Sequence, residues 1–250
     1  MVESGNRCPA RWKVVARLAG IEWPSATRDK AGFMNRAIKQ LIEWKRGPFA
    51  LLILLFVVSQ LYLASVHNFP TTRYETDGIH YLERAAGALF QVDPYHGPGY
   101  SLAIRLVRWL TRLSPFSAAQ LVSILAGILL LYSAYRVFSI SDGHQIAFRA
   151  IVMTAFAPSV LKYSGMVSSD MFAAALMWVT LWILSRAERL DFRQLFAAGL
   201  VVGFAYLTKY VFIFLVIIPP LVLLLTQRRN RRALYALLGF YLGFCLLTAP

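Results

Sequence analysis

The sequence predicts an all-α fold: a polytopic transmembrane helical bundle of about seven spans, with an outer-face loop and an amphipathic interfacial helix between spans 1 and 2. Three observations point there. Hydrophobic residues make up 58% of the 250-residue chain and charged residues only 15%, where soluble domains carry about 25% charged residues. The apolar residues gather into seven stretches that approach the roughly 20 residues needed to cross a bilayer. The net charge is +14, and most of it falls in segments that would form one rim of a bundle. This composition excludes a disordered chain, a disulfide scaffold and an ordinary cytosolic enzyme. It gives the basic charge a topological meaning, with no nucleic-acid partner expected.

Residues 1–47 form a basic cytoplasmic tail. It holds ten Lys and Arg residues, with Trp12, Trp23 and Trp44 scattered among them, as suits a segment drawn to anionic membrane lipids. It is polar throughout, unlike a signal peptide. Residues 48–250 form the transmembrane domain, with spans predicted near 48–66, 117–135, 146–164, 171–185, 195–209, 211–226 and 233–250. The first span carries no charge. Gly199 and Gly203 in the fifth make a small-xxx-small pattern that suits close helix contact. Pro219 and Pro220 are expected to kink or break the sixth. Cys8 lies in the tail and Cys245 in the last span, so both are expected to be free thiols.

Between spans 1 and 2 runs an outer loop with an interfacial helix, 67–115. Ile79, Leu82, Ala86 and Leu89 recur at helical spacing, and Asp77 stands just before them, where it can cap the helix, act chemically, or do both. Pro94, Gly97 and Pro98 make a turn, and residues 100–113 then read as an amphipathic helix. Arg105, Arg108 and Arg112 share one face, with Leu102, Leu106, Val107, Leu110 and Leu113 lining much of the rest. Such a helix lies in the interface, where its arginines anchor to headgroups or hold the phosphate of a lipid-linked substrate.

Sidedness follows from the basic residues. With the N-terminus in the cytoplasm, nineteen of the 26 Lys and Arg residues fall inside and seven outside, in accord with the positive-inside bias. Of the 12 acids, Glu75, Asp77, Glu83, Asp93 and Asp170 fall outside. Lys162, Asp170 and Lys209 reach the same outer surface. Each lysine alone can simply snorkel to headgroup level, and Asp170 can be an N-cap. With Asp77 and the arginine face they give an outward-facing cavity with two carboxylates and several cations. Phosphate needs such cations, and a nearby carboxylate serves as base or metal ligand.

Four elements then occur in order: Asp77-Gly78-Ile79-His80-Tyr81, His96-Gly97-Pro98-Gly99-Tyr100, Ala157-Pro158 through Ser168-Ser169-Asp170, and Gly199 through Leu207-Thr208-Lys209. In this order and on this topology, residues 48–250 resemble the N-terminal half of a GT-C superfamily glycosyltransferase. The pattern is similar to the dolichyl-phosphate-mannose protein mannosyltransferases and the bacterial lipid A aminoarabinose transferases. The resemblance implies transfer of a sugar from a polyprenyl phosphate to a lipid, glycan or protein acceptor, on the extracytoplasmic face of a membrane (the inner membrane of a cell). It places Asp77 where the catalytic loop aspartate stands, as base or metal ligand. Lys209, Lys162, Arg105, Arg108 and His96 become candidates for binding the lipid phosphate, and Asp170 or Glu75 a second acid.

Two departures stand out. Where many relatives have Asp-Glu in the loop motif, this chain has Gly78, which leaves a divalent cation as an open cofactor with no certain ligand set. The chain is also shorter than family members, so it is expected to be truncated at its C-terminus. Two other classes remain as alternatives. One is a transporter or flippase for a lipid-linked anionic substrate, which would favour repeated halves and midplane charges. The other is a non-catalytic membrane subunit.

Overall fold

In a computed structural model, the described residues are 47–63, 76–87, 96–186, 191–226 and 231–249. The chain divides into two compact units, Met1–Pro48 and Phe49–Pro250. Of the first, only Gly47 and Pro48 are described, so the basic tail lies outside the described residues. All regular structure among the described residues is helical.

Helix α1 (Gly47–Leu63) is apolar and carries Pro48 in its first turn, where the missing N–H costs nothing. It buries Leu52, Phe56 and Gln60 along one stripe, while Leu51, Leu54, Leu55, Val58 and Leu61 stay exposed. An apolar helix with large apolar side chains on its outer face suits a bilayer rather than water. Helix α2 (Thr76–Ala86) follows, and α3 (Pro98–Thr111) after it. Helix α4 (Pro115–Ser141) is opened by the Ser114 hydroxyl, which accepts from the Ser117 N–H at 3.2 Å. At 27 residues it is the one helix among the described residues long and apolar enough to cross a membrane alone.

The third expected span is broken. Helices α5 (His144–Ala155) and α6 (Pro158–Gly165) meet at 61°. Pro158 has no N–H to give to the turn before it and so starts a new helix. Helix α7 (Ser169–Ser185) begins at Ser168, whose hydroxyl accepts from the Asp170 N–H at 3.2 Å. Asp170 is therefore a first-turn residue, and the cap it was a candidate for is Ser168. Helix α8 (Phe192–Thr208) is capped by Asp191. A 3₁₀ turn, Tyr210–Ile213, leads into α9 (Phe214–Thr226), and α10 (Arg231–Thr248) follows.

Pro219 and Pro220 lie inside α9, which continues through them. The discontinuity in this region falls earlier, at Lys209, whose backbone is extended. Pro220 leaves the carbonyl of Val216 without its helical donor. The Tyr241 hydroxyl, from α10, donates to that carbonyl at 3.4 Å, which replaces part of what the proline removes. By length, α7, α8, α9 and α10 are shorter apolar helices, so seven spans remain an expectation rather than an observation.

Buried apolar side chains form three clusters. One joins α1, α4, α5 and α7 around Phe56, Leu131, Ile151 and Met171. A second joins α2, α3 and α4 around Tyr81, Tyr100, Ile104 and Val122. The third joins α8, α9 and α10 around Val202, Leu215 and Phe240. Helices α8 and α10 approach most closely. A β-carbon on Gly199 would collide with the Phe240 carbonyl oxygen, and one on Gly243 with that of Phe196. The small-residue pattern read in α8 thus has a reciprocal partner in α10, at Gly239 and Gly243, which the sequence reading missed.

Candidate functional site

Helices α2 and α3 form a cap pinned to the helix ends by backbone contacts. A β-carbon on Gly78, in the first turns of α2, would stand 2.7 Å from the Val167 carbonyl oxygen. One on Gly97 would collide with the Leu207 carbonyl, and one on Gly99 would stand 2.6 Å from Thr208 Oγ1. So α2 rests on the turn before α7, and the start of α3 rests on the end of α8. The same two places carry Asp170 and Lys209.

Those two residues form an ion pair, Lys209 Nζ to Asp170 Oδ1, part-buried rather than sealed. The Ser168 hydroxyl donates to the other carboxylate oxygen, Oδ2, at 3.1 Å. Asp170 is therefore held from two directions, by a cation from α8 and a hydroxyl from its own turn. Such charge-assisted contacts fix a carboxylate's orientation.

Tyr81 ties the cap to this turn. Its hydroxyl accepts from Ser169 Oγ at 3.0 Å, and its carbonyl accepts from Ser101 Oγ at 3.0 Å. Its ring meets Tyr100 edge-on at 5.2 Å and His96 at 5.4 Å. Tyr100 is wholly buried and bonds Ser123 Oγ at 2.8 Å. Burial pushes its hydroxyl far above the ordinary phenol range, so it stays a neutral donor. The Arg84 guanidinium donates to the His96 carbonyl oxygen, and the His96 ring packs against His80 at 5.2 Å. The result is a connected polar rim, His80–His96–Tyr81–Ser169–Asp170–Lys209.

The proposed site residues fall unevenly around this rim. Asp170, Lys209 and His96 are on it. Asp77 is the second residue of α2, so it adjoins Gly78 and its backbone lies beside the Val167–Asp170 turn. It stands inside the first turn rather than just before it, where a negative charge suits the helix dipole. The Asp77 side chain and all of Glu75 lie outside the described residues. Lys162 is exposed on α6, with its ammonium 5.0 Å from the Tyr163 ring centre. Arg105 and Arg108 are exposed on α3, about 10 and 15 Å along the helix from Pro98. Trp109 (76% exposed), Leu102, Leu106 and Leu110 form an apolar strip beside them, while Tyr100, Ser101 and Ile104 face inward.

The helical spacing read at Ile79, Leu82 and Ala86 falls on helix α2; of these residues Ile79 and Ala86 are exposed and Leu82 is partly buried, and Leu89 lies outside the described residues. The helix buries Gly78, Tyr81, Arg84 and Ala85 instead. Apolar periodicity marks an outward face as readily as one turned to the protein. The departure at Gly78 has a structural reason. Its lack of a side chain is a packing requirement against Val167, so position 78 has no room for the second acid of an Asp-Glu pair. Among the described residues no three His, Cys, Asp or Glu side chains converge on one point. Cys245 is a free, exposed thiol; Cys8 lies outside the described residues.

Sequence reasoning passed over Tyr81, Ser168, Ser169 and Thr208 as contributors. Tyr81 ends the Asp-x-x-x-Tyr element, and the serines precede Asp170 directly, so the signal was adjacency to acids already singled out.

Among curated proteins no match is found. The family described as dolichyl-phosphate-mannose-protein mannosyltransferase matches residues 95–250. That stretch includes His96, Arg105, Arg108, Lys162, Asp170 and Lys209, and begins after Glu75 and Asp77. Because the match covers more than half of the sequence, the chain belongs to the dolichyl-phosphate-mannose-protein mannosyltransferase family, a family of membrane glycosyltransferases of the GT-C type.

Proposed function

We propose that the protein transfers a sugar from a polyprenyl-phosphate donor to a lipid, glycan or protein acceptor on the extracytoplasmic face of the inner membrane. About seven apolar segments cross the bilayer, and the N-terminus is cytoplasmic. The observation that carries this reading is the docking of the Asp77 helix, through Gly78, against the turn before α7, whose Asp170 pairs with Lys209 at the end of α8. A carboxylate for the acceptor and a cation for the leaving phosphate then sit at one end of the bundle.

In the proposed step Asp77 takes the proton of the acceptor hydroxyl. The acceptor oxygen attacks the sugar's anomeric carbon from the side opposite the phosphate, the bond to the phosphate oxygen breaks with its electron pair, and the configuration inverts. Lys209 faces the departing charge, where a preorganised cation has its largest effect. Asp170 cancels part of that charge at rest, so its role is to position Lys209, and Lys162, Arg105, Arg108 and His96 supply further attraction. Membership of the family supports a glycosyltransferase; the donor, the face and the role of Asp77 are this proposal's own.

The test is transfer from a radiolabelled polyprenyl-phosphate sugar by the full chain in lipid nanodiscs. Asp77→Asn should cut the rate by roughly 10²- to 10⁴-fold, the range for loss of a general base. Full transfer by Asp77→Asn would remove the catalytic assignment. Movement of the donor across the bilayer without transfer would favour a flippase, and donor binding with neither would favour a non-catalytic subunit.

A further inference from the structure

Gln60 is wholly buried on α1, and among the described residues neither its amide oxygen nor its amide nitrogen has a hydrogen-bond partner. Ser164, near the end of α6, is also wholly buried, and its hydroxyl has none either. Two glycines make the space these groups occupy. A β-carbon on Gly165 would stand 3.1 Å from Gln60 Oε1, and one on Gly127 would stand 2.6 Å from Ser164 Oγ and 2.9 Å from Phe56. The Gln60 amide thus faces α6 at Gly165, and the hydroxyl of the residue before it, Ser164, faces α4 at Gly127, where α1, α4 and α6 converge. From α4, Gln120 Nε2 donates to the Gly165 carbonyl at 3.4 Å.

Bare amide and hydroxyl groups are costly in an apolar interior and are usually satisfied by ordered water with two to four polar partners. Gln60 offers two donors and an acceptor, and Ser164 one donor and an acceptor. A cation would meet the amide N–H groups unfavourably, whereas water accepts from them. We infer that Gln60 and Ser164 bind one buried water, and that this hydrated node positions the turn from Gly165 to Asp170. The turn has no helical hydrogen bonding of its own between α6 and α7, since Met166 is extended and α7 starts only at Ser169, so it is held by its neighbours, with the Gln120 amide and this node on the α6 side. Movement at Ser164 and Gly165 is transmitted along it to Asp170 and thence to Lys209. Gln60 and Ser164 are positioning residues. Only this last step rests on the role proposed above for the Asp170–Lys209 pair.

Three measurements on the full chain in nanodiscs test it. In a thermal double-mutant cycle, Gln60→Met and Ser164→Ala should each lower the melting temperature, and the double variant should lose no more than the larger single loss. Additive losses would overturn the shared node. A structure resolving ordered water should show it within hydrogen-bond distance of both side chains; a direct amide–hydroxyl bond would overturn the hydration. In the transfer assay, at a temperature where it is fully folded, Gln60→Met should lower kcat about tenfold with KM unchanged, and Gln60→Glu should recover most of it. An unchanged kcat in Gln60→Met, with Asp170→Asn impaired, would overturn the positioning role. If Asp170→Asn and Lys209→Gln are both fully active, the proposed function of the pair fails instead, and the thermal cycle still decides the node.

Discussion

Lys209 and Asp170 neutralise each other, and that changes what a substitution at either one does. Removing Lys209 takes away the proposed phosphate contact and leaves a carboxylate facing an anionic substrate. Removing Asp170 leaves the cation in place but less firmly aimed. Lys209→Gln should therefore reduce transfer by roughly 10- to 100-fold, the scale of one charge-assisted hydrogen bond, and Asp170→Asn by less. Equal losses, measured as kcat/KM, would contradict this division of labour. Tyr100 gives a test in pH. Its ordinary value is 10.0 and burial raises it in the fold, so above about pH 10 the unfolded chain has lost a proton that the folded chain retains. Stability then falls with rising pH. Thermal melts from pH 8 to 11 should show this fall, and Tyr100→Phe should flatten it while losing the bond to Ser123. At this scale the sequence singled out Asp170, Lys209 and His96 and assigned them to one surface. It could not show that the first two neutralise each other, because residues 39 positions apart meet only through the packing of α7 and α8.

At the scale of elements, backbone contacts matter more than side-chain ones. Gly199 and Gly243 bring α8 and α10 together so closely that either β-carbon would strike the facing carbonyl. Gly199→Ala or Gly243→Ala should lower the melting temperature in detergent, whereas Gly47→Ala, with nothing within 4 Å, should not. The Tyr241 hydroxyl supports the carbonyl that Pro220 abandons, so Tyr241→Phe should cost about 1 kcal/mol, read from the same melts. Proline was read unevenly in the sequence. Pro158 breaks its span, although the span was drawn through it. Pro219 and Pro220 lie inside an unbroken helix, so of the kink or break expected there the break is absent. The difference lies in their surroundings: Pro158 follows two non-helical residues and starts a new helix, while the proline pair has a donor waiting on the neighbouring helix. Helix-breaking strength is a property of the whole packing, which a single stretch of letters does not contain.

For the whole molecule, composition was the most informative signal. The helical class followed from the 58% hydrophobic content and the ordered motifs pointed to the family. The span count did not follow: α4 alone is long and apolar enough to cross by itself, the third expected span is bent, and α7 to α10 are short. Sidedness is open to direct measurement. A cysteine placed in the 227–230 segment should be protected from an impermeant thiol reagent in intact cells, and one placed in the 88–95 segment should react. The reverse pattern would invert the proposed topology and move the polar rim to the cytoplasm.

The cap's contact at Gly97 is asymmetric in what it asks of heredity. It is made from the α-carbon of one residue to the carbonyl of another, so the side chain at 207 takes no part in it, while any side chain at 97 would occupy the carbonyl's place. A saturation library should accordingly find position 97 almost closed to substitution and position 207 open to residues that fit its own neighbours. A lineage could rewrite one partner of this joint many times and still be unable to alter the other.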